Sequence, residues 1–205
     1  MDFAYERHVF RSPAFQSVVS EAVDFFVRTP LHLLPPPKQF LGPGIYALYY
    51  VGGYQSYARI ARLNQVDCSL PIYVGKAVPP GWRTARSRDS ETSDLYLRLR
   101  EHTRSIQQTT NIAITDFRCR FMILNSIESE LIGPVEARLI RRYKPLWNTV
   151  IDGFGNHDPG AGRYNQARSE WDVLHPGRAW AERLAGKKPA IAHLLEKINK
   201  ALADL

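Results

Sequence analysis

Two cysteines, Cys68 and Cys119, are all the thiol chemistry this 205-residue chain carries. They are too few and too far apart for a disulfide framework or a zinc site, and a reduced cytoplasmic protein is the expectation. Lysine is scarce too: only seven of the 27 basic residues are lysines, and the rest are arginine. No run approaches the ~18 apolar residues that a membrane helix needs. The N-terminus is charged early, at Asp2, Glu6 and Arg7, and lacks the apolar stretch of a signal peptide. Repeats and low-complexity tracts are missing as well. What remains is an ordinary globular composition, 44% hydrophobic and 23% charged. The length suits one domain with elaborations, or a domain plus a small appendage. The balance is basic, with net charge +7 and pI about 9.5. Arginine's planar fork suits bidentate contact with phosphate and with guanine edges, so the bias points toward nucleic acid. A GC-rich genome produces the same excess through its codons.

Periodicity outlines the elements. Apolar residues at Phe15, Val18, Val19, Ala22, Val23, Phe26 and Val27 have helical spacing, with Ser12-Pro13 as entry and Thr29-Pro30 as stop. Pro35-Pro36-Pro37 makes a stiff extended connector. Ile45 to Val51 reads as a strand closed by Gly52-Gly53, and Ile72 to Gly75 as a second, short one. A polar loop with Arg83, Arg86 and Arg88 leads to a cap at Ser93-Asp94. A helix follows from Leu95 to Ile106, with Leu95, Leu99 and Ile106 inward. Phe117 to Leu124 is a third strand, alternating Phe117, Cys119, Phe121 and Ile123 against Arg118 and Arg120. Pro134 opens another helix in its first turn and Lys144-Pro145 ends it. Residues 151–178 are rich in glycine and polar side chains, and Ala190 to Leu202 forms a closing amphipathic helix. The order strand–strand–helix–strand–helix implies an α/β (α+β) fold. It has a small mixed sheet flanked by helices, helical extensions at both ends and a long inserted loop.

Five fragments carry residues suited to phosphoryl chemistry: Gly44-Ile45-Tyr46, Tyr73-Val74-Gly75-Lys76, Arg98 with His102, Glu136 and Asn148. Arg98 and His102 are four apart and share one helix face. A guanidinium there can hold a phosphate and offset charge built up during attack, and a neutral imidazole can accept a proton from Tyr46. Arg100 competes for the Arg98 role but lies about 160° from His102 around the helix. A phenol, with pKa near 10, is a poor base unless cations lower it. Strand tyrosines usually just pack, which is the reading for Tyr49 and Tyr50. Glu136 in a first turn can serve merely as a helix-dipole partner. Glu128 and Glu130 fall in a loop.

In this order the five fragments resemble the GIY-YIG nucleases, which hydrolyse DNA phosphodiester bonds with one divalent metal ion. The resemblance runs from about Pro43 to Asn148, half of the chain. It implies one nuclease domain over residues 1–205, with a core at about 43–150 and extensions at 1–40 and 151–205. It also implies roles. Tyr46 is the base and Tyr73 orients water. Glu136 is the single metal-ligating carboxylate, for one Mg²⁺ with Mn²⁺ able to substitute, and Asn148 positions the phosphate. Lys76 would lower the tyrosine pKa values or touch phosphate.

Two departures narrow the expectation. Tyr46 and Tyr73 are separated by an insertion, Gly52 to Leu70, which is longer than the superfamily's usual connection. No separate DNA-binding module is attached, so recognition must come from loops and flanks. That organisation resembles the type II restriction endonucleases of the superfamily. The runs Gly153 to Gly160 and Trp171 to Arg178 resemble the branch that cleaves CCGCGG. The implied partner is double-stranded DNA, engaged by a homodimer, with a methyltransferase as genetic partner. Arg83, Arg86, Arg88, Arg104, Arg163 and Arg168, with Lys76, are the candidate DNA contacts. His157, Asp158 and His175 are read as loop anchors, with a second metal site as the alternative. A structure-specific repair nuclease and a non-catalytic DNA-binding protein are the rival functions.

Overall fold

The computed structural model describes residues 3–82, 92–203 and 205. Arg83, Arg86 and Arg88 lie outside these. Among the described residues one sheet holds β1 (His32–Leu33), β2 (Gly44–Tyr50), β3 (Tyr73–Ala77) and β4 (Phe117–Ile123), in the order β1-β4-β2-β3. Every pairing is antiparallel, so the mixed sheet read from the sequence resolves into an antiparallel one within an α+β fold. The helices are α1 (Pro13–Arg28), α2 (Ala58–Leu63), α3 (Asp94–Gln107), α4 (Ile132–Tyr143), α5 (Leu146–Thr149), α6 (Glu170–Leu174), α7 (Ala179–Glu182) and α8 (Ile191–Leu202). None among the described residues is long and apolar enough to cross a membrane.

Strand β2 is buried along its whole length, which is why its sequence shows no polar alternation. Ile45, Ala47 and Tyr49 pack with Val19, Val23 and Phe26 of α1 and with Ile132, Val135 and Leu139 of α4. Tyr46, Leu48 and Tyr50 face the other way, toward Leu95, Leu99 and Ile106 of α3 and toward Trp147, Phe154 and Trp171. The sheet is thus the middle of three layers. Successive β2 residues alternate between the face packed by α1 and α4 and the face that carries Tyr46.

Several expectations are corrected in detail. Ser12 caps α1 by accepting from the Phe15 amide, yet Phe15 and Val18 are exposed, because the buried stripe is only Val19, Val23 and Phe26. In β4 the alternation holds through Phe121. Met122 then points into the α1/α4 layer, and Ile123, at the sheet margin beside the first residue of β2, is exposed. The Gly52–Leu70 insertion is no bare loop. It holds α2, buries Tyr57 and Ile60, and is tied down by Asn64, whose side chain bonds the carbonyls of Tyr50 and Leu70 and the Leu70 amide. Glu128 and Glu130 lie in a 3-10 turn, Ser126–Leu131, that leads into α4. Because α4 starts at Ile132, Pro134 is still in the first turn, where its missing N–H costs little, but Glu136 is the fifth residue and no longer a first-turn dipole partner. Lys144 ends α4 in the left-handed region, at φ 43°, since Pro145 bars a helical residue before it.

Candidate active site

Register brings the two tyrosine strands together: Tyr46 on β2 stands opposite Gly75 on β3, and Leu48 opposite Tyr73. The Tyr46 phenol crosses the backbone at Gly75. A Cβ there would fall on its hydroxyl and lie 2.6 Å from Cζ, which explains the glycine of the Tyr-Val-Gly turn. Beyond Gly75 the Tyr46 hydroxyl meets Nε2 of His102 at 2.5 Å, in a fully buried contact. Tyr73 closes the group, its ring centroid 6.2 Å from Tyr46 and 5.4 Å from His102.

Burial governs the ionisation of this trio. The Tyr46 phenol is pushed well above the usual tyrosine range, by desolvation first and then by the neighbouring Tyr73. Arg98 pulls the other way and does not prevail, so the expected cationic lowering of the phenol is not found. Tyr73 is raised for the same leading reason, with Arg98 opposing and Glu136 adding to the rise. His102 is held well below the usual histidine range by burial and then by the charge of Arg98. At rest the site holds a protonated phenol against a neutral imidazole.

Arg98 reaches the same face, while Arg100 projects outward over the Tyr96 ring. Burial opposes the Arg98 charge, but the two phenols and Glu101 outweigh it and keep the guanidinium firmly protonated. Its Nη1 bonds Glu101 at 2.8 Å and meets His157 Nε2 at 2.7 Å, and its Nη2 donates to the Gly155 carbonyl at 3.2 Å. Glu136 comes from α4, in the opposite layer, and receives the Lys76 ammonium at 2.7 Å. Lys76 is therefore engaged with the carboxylate, where tyrosine or phosphate had been the expected partner. Among the described residues no three His, Cys, Asp or Glu side chains gather to cage an ion. One mostly buried carboxylate that keeps some exposure suits a hard divalent ion that takes water and phosphate oxygens into its shell.

The sequence model of the Eco29kI GIY-YIG domain matches residues 38–202, well over half of the chain. The chain belongs to the Eco29kI GIY-YIG family. This is a restriction endonuclease family, so the protein is a restriction-type nuclease and DNA is its substrate. No curated protein matches the chain.

Other residues of this Eco29kI-type domain take different places from those expected. Asn148 accepts from the Val74 amide and donates to the Val74 carbonyl, both at 2.8 Å. Its amide therefore stands in for a further strand along the outer edge of β3, with the Trp147 amide bonded to the Ile72 carbonyl beside it. Arg168 is buried and forked onto Glu182 at 3.0 and 2.7 Å, which removes it from the DNA contacts; Arg104 and Arg163 are exposed. Asp158 is held below the usual carboxylate range by the Gly160 amide and then by Tyr164 and Arg183. His175 is buried between Tyr57 and Asn111, and burial pushes its pKa down to about 3. These two and His157 form no common site.

Sequence reasoning missed Phe154 and Gly155, and placed no role on His157 at the site. The Phe154 ring stacks on His102, with centroids 4.5 Å apart and 16° between planes. A Cβ on Gly155 would come within 3.0 Å of the Tyr73 hydroxyl. The signal available was the Gly153-Phe154-Gly155 run itself, an aromatic between two glycines in an otherwise polar stretch.

Proposed function

We propose that the protein is a cytoplasmic, Mg²⁺-dependent type II restriction endonuclease. It cleaves double-stranded DNA at a short GC-rich palindrome, CCGCGG by its branch resemblance. The observation that carries this reading is the 2.5 Å contact between the Tyr46 hydroxyl and His102 Nε2, with Arg98 beside it. Arg98 binds the scissile phosphate and offsets its growing charge. Tyr46 takes a proton from the attacking water as it passes its own to His102. The raised phenol pKa supports a coupled transfer, because a free phenolate at rest is disfavoured. Tyr73 orients the water. Glu136 would hold the divalent ion, which when bound supplies Lewis-acid polarisation of a phosphate oxygen.

A palindrome presents two equivalent scissile bonds, which a two-fold homodimer meets with two sites. Arg104 and Arg163, exposed, remain the candidate backbone contacts among the described residues. A cognate methyltransferase would be the genetic partner. Incubation with mixed-sequence duplex DNA and Mg²⁺, beside a chelated control, tests the class. Discrete fragments that vanish on chelation are expected. Cutting confined to branched or damaged DNA would mean a repair nuclease, and no cutting a binding protein that kept the fold.

A further inference from the structure

Arg178 is the most deeply buried arginine of the described residues, at 1% exposure. Its Nε and Nη2 donate to the two carboxylate oxygens of Asp172 at 2.6 and 2.8 Å. The same guanidinium donates to three carbonyls of one short segment: Gly153 at 2.9 Å, and Phe154 and Asn156 at 3.1 Å each. Trp171 and Trp180 lie against it, 4.6 and 4.7 Å from their ring centroids. A buried ion pair is weak as a source of net stability, because desolvation offsets most of its attraction. What this one accomplishes is geometric, since it draws three carbonyls that would repel one another onto a single planar fork.

The gathered segment is the wall of the nuclease site. Phe154 is the ring stacked on His102, and the Gly155 carbonyl is the acceptor for Arg98. Both sit between carbonyls that Arg178 holds. We propose that Arg178 is a positioning residue: through Phe154 and Gly155 it seats His102 and Arg98 for proton transfer and phosphate binding. The proposal rests on the nuclease reading above for its consequence in catalysis, and on geometry alone for the seating itself.

Two variants separate the links. Arg178→Lys keeps a charge beside Asp172 and loses the fork. Phe154→Leu keeps the fork and removes the ring. The first readout needs no activity: the His102 ring proton is followed by NMR against pH in the full-length protein. The groups facing His102 are Tyr46 of β2, Tyr73 of β3, Arg98 of its own helix, and His157 and Arg178 of the C-terminal segment. The chain holds six histidines, so His102→Gln assigns its own signal and His157→Gln that of the neighbouring imidazole. Wild-type His102 should stay neutral far below the ordinary histidine range, and both variants should titrate closer to it. The second readout is single-turnover cleavage against DNA affinity. The rate should drop by about 100-fold in Arg178→Lys, as for a misplaced catalytic group, with affinity nearly unchanged. Arg168→Lys, which weakens the nearby pair with Glu182, should match wild type in both readouts. An unshifted His102 in both variants, with rates that track only the folded fraction, would overturn the proposal. If Arg178→Lys does not fold, Phe154→Leu decides alone, and a wild-type titration and rate there would also overturn it. A wild-type protein that cuts no DNA would remove the nuclease reading, and the His102 titration would still decide the seating.

Discussion

A phenol and an imidazole share one buried contact at Tyr46 and His102, and burial drives their ionisation in opposite directions, each toward its neutral form. This has a consequence for pH. In the proposed mechanism His102 must be neutral to accept the proton, and its pKa in the folded protein lies well below 6.5, so cleavage should persist as pH falls through 6.5 and fail only at lower pH. An acid limb at an ordinary histidine value, in a single-turnover pH–rate profile, would contradict that. Tyr46→Phe deletes one hydroxyl and should cost roughly 1 kcal/mol of stability. Cleavage should fall by at least ~100-fold. Tyr50→Phe, which loses only the acceptor for the Tyr54 amide, should cut near the wild-type rate, and so should Tyr49→Phe. Equal losses at all three would mean a packing effect. Glu136→Gln should abolish cleavage while DNA binding, measured by gel shift, persists or tightens, since a negative charge near phosphate is removed. Tyr46, His102 and Glu136 were candidates because the five fragments, in their order, resemble the family. The direction of the Tyr46 shift was not, because it depends on burial by residues far away in the chain, such as His102 and Phe154.

At the level of elements, the site depends on how the outer edge of β3 is closed. Asn148 supplies both hydrogen bonds that a neighbouring strand would give Val74, next to Tyr73. Asn148→Ala leaves a buried amide and carbonyl without partners, and should destabilise by roughly 1–3 kcal/mol. A lowered Tm in thermal unfolding, with cleavage reduced alongside, is the expected result. A role confined to phosphate would leave Tm unchanged and weaken substrate binding alone. The helices that periodicity outlined, α1, α3, α4 and α8, lie where their apolar spacing put them, within a few residues. The two-residue β1 and the six-residue α2 were not readable, because neither is long enough to display a period. Nor could spacing reveal that Glu136 and Lys76 pair, since they come from different elements and approach from the face opposite Tyr46.

On the scale of the whole molecule, the sheet divides labour between its faces. One side is packed by α1 and α4, the other by α3 and the C-terminal segment that walls the site. The family match extends through that segment to residue 202, and so takes in the segment proposed to seat His102 and Arg98 together with the tyrosine strands. Composition showed a basic, arginine-rich chain, which a nucleic-acid partner and a GC-rich genome explain equally well. It could not tell arginines that face solvent, such as Arg104 and Arg163, from Arg168 and Arg178, which serve the interior. Recognition by a two-fold homodimer remains the central claim. Its most direct test is to digest long DNA with the wild-type protein and Mg²⁺ and to sequence both strands at every fragment end. The account predicts ends confined to one GC-rich palindrome, CCGCGG, with the two cuts related by its symmetry axis. Ends scattered without a common sequence, or cuts on one strand only, would contradict it.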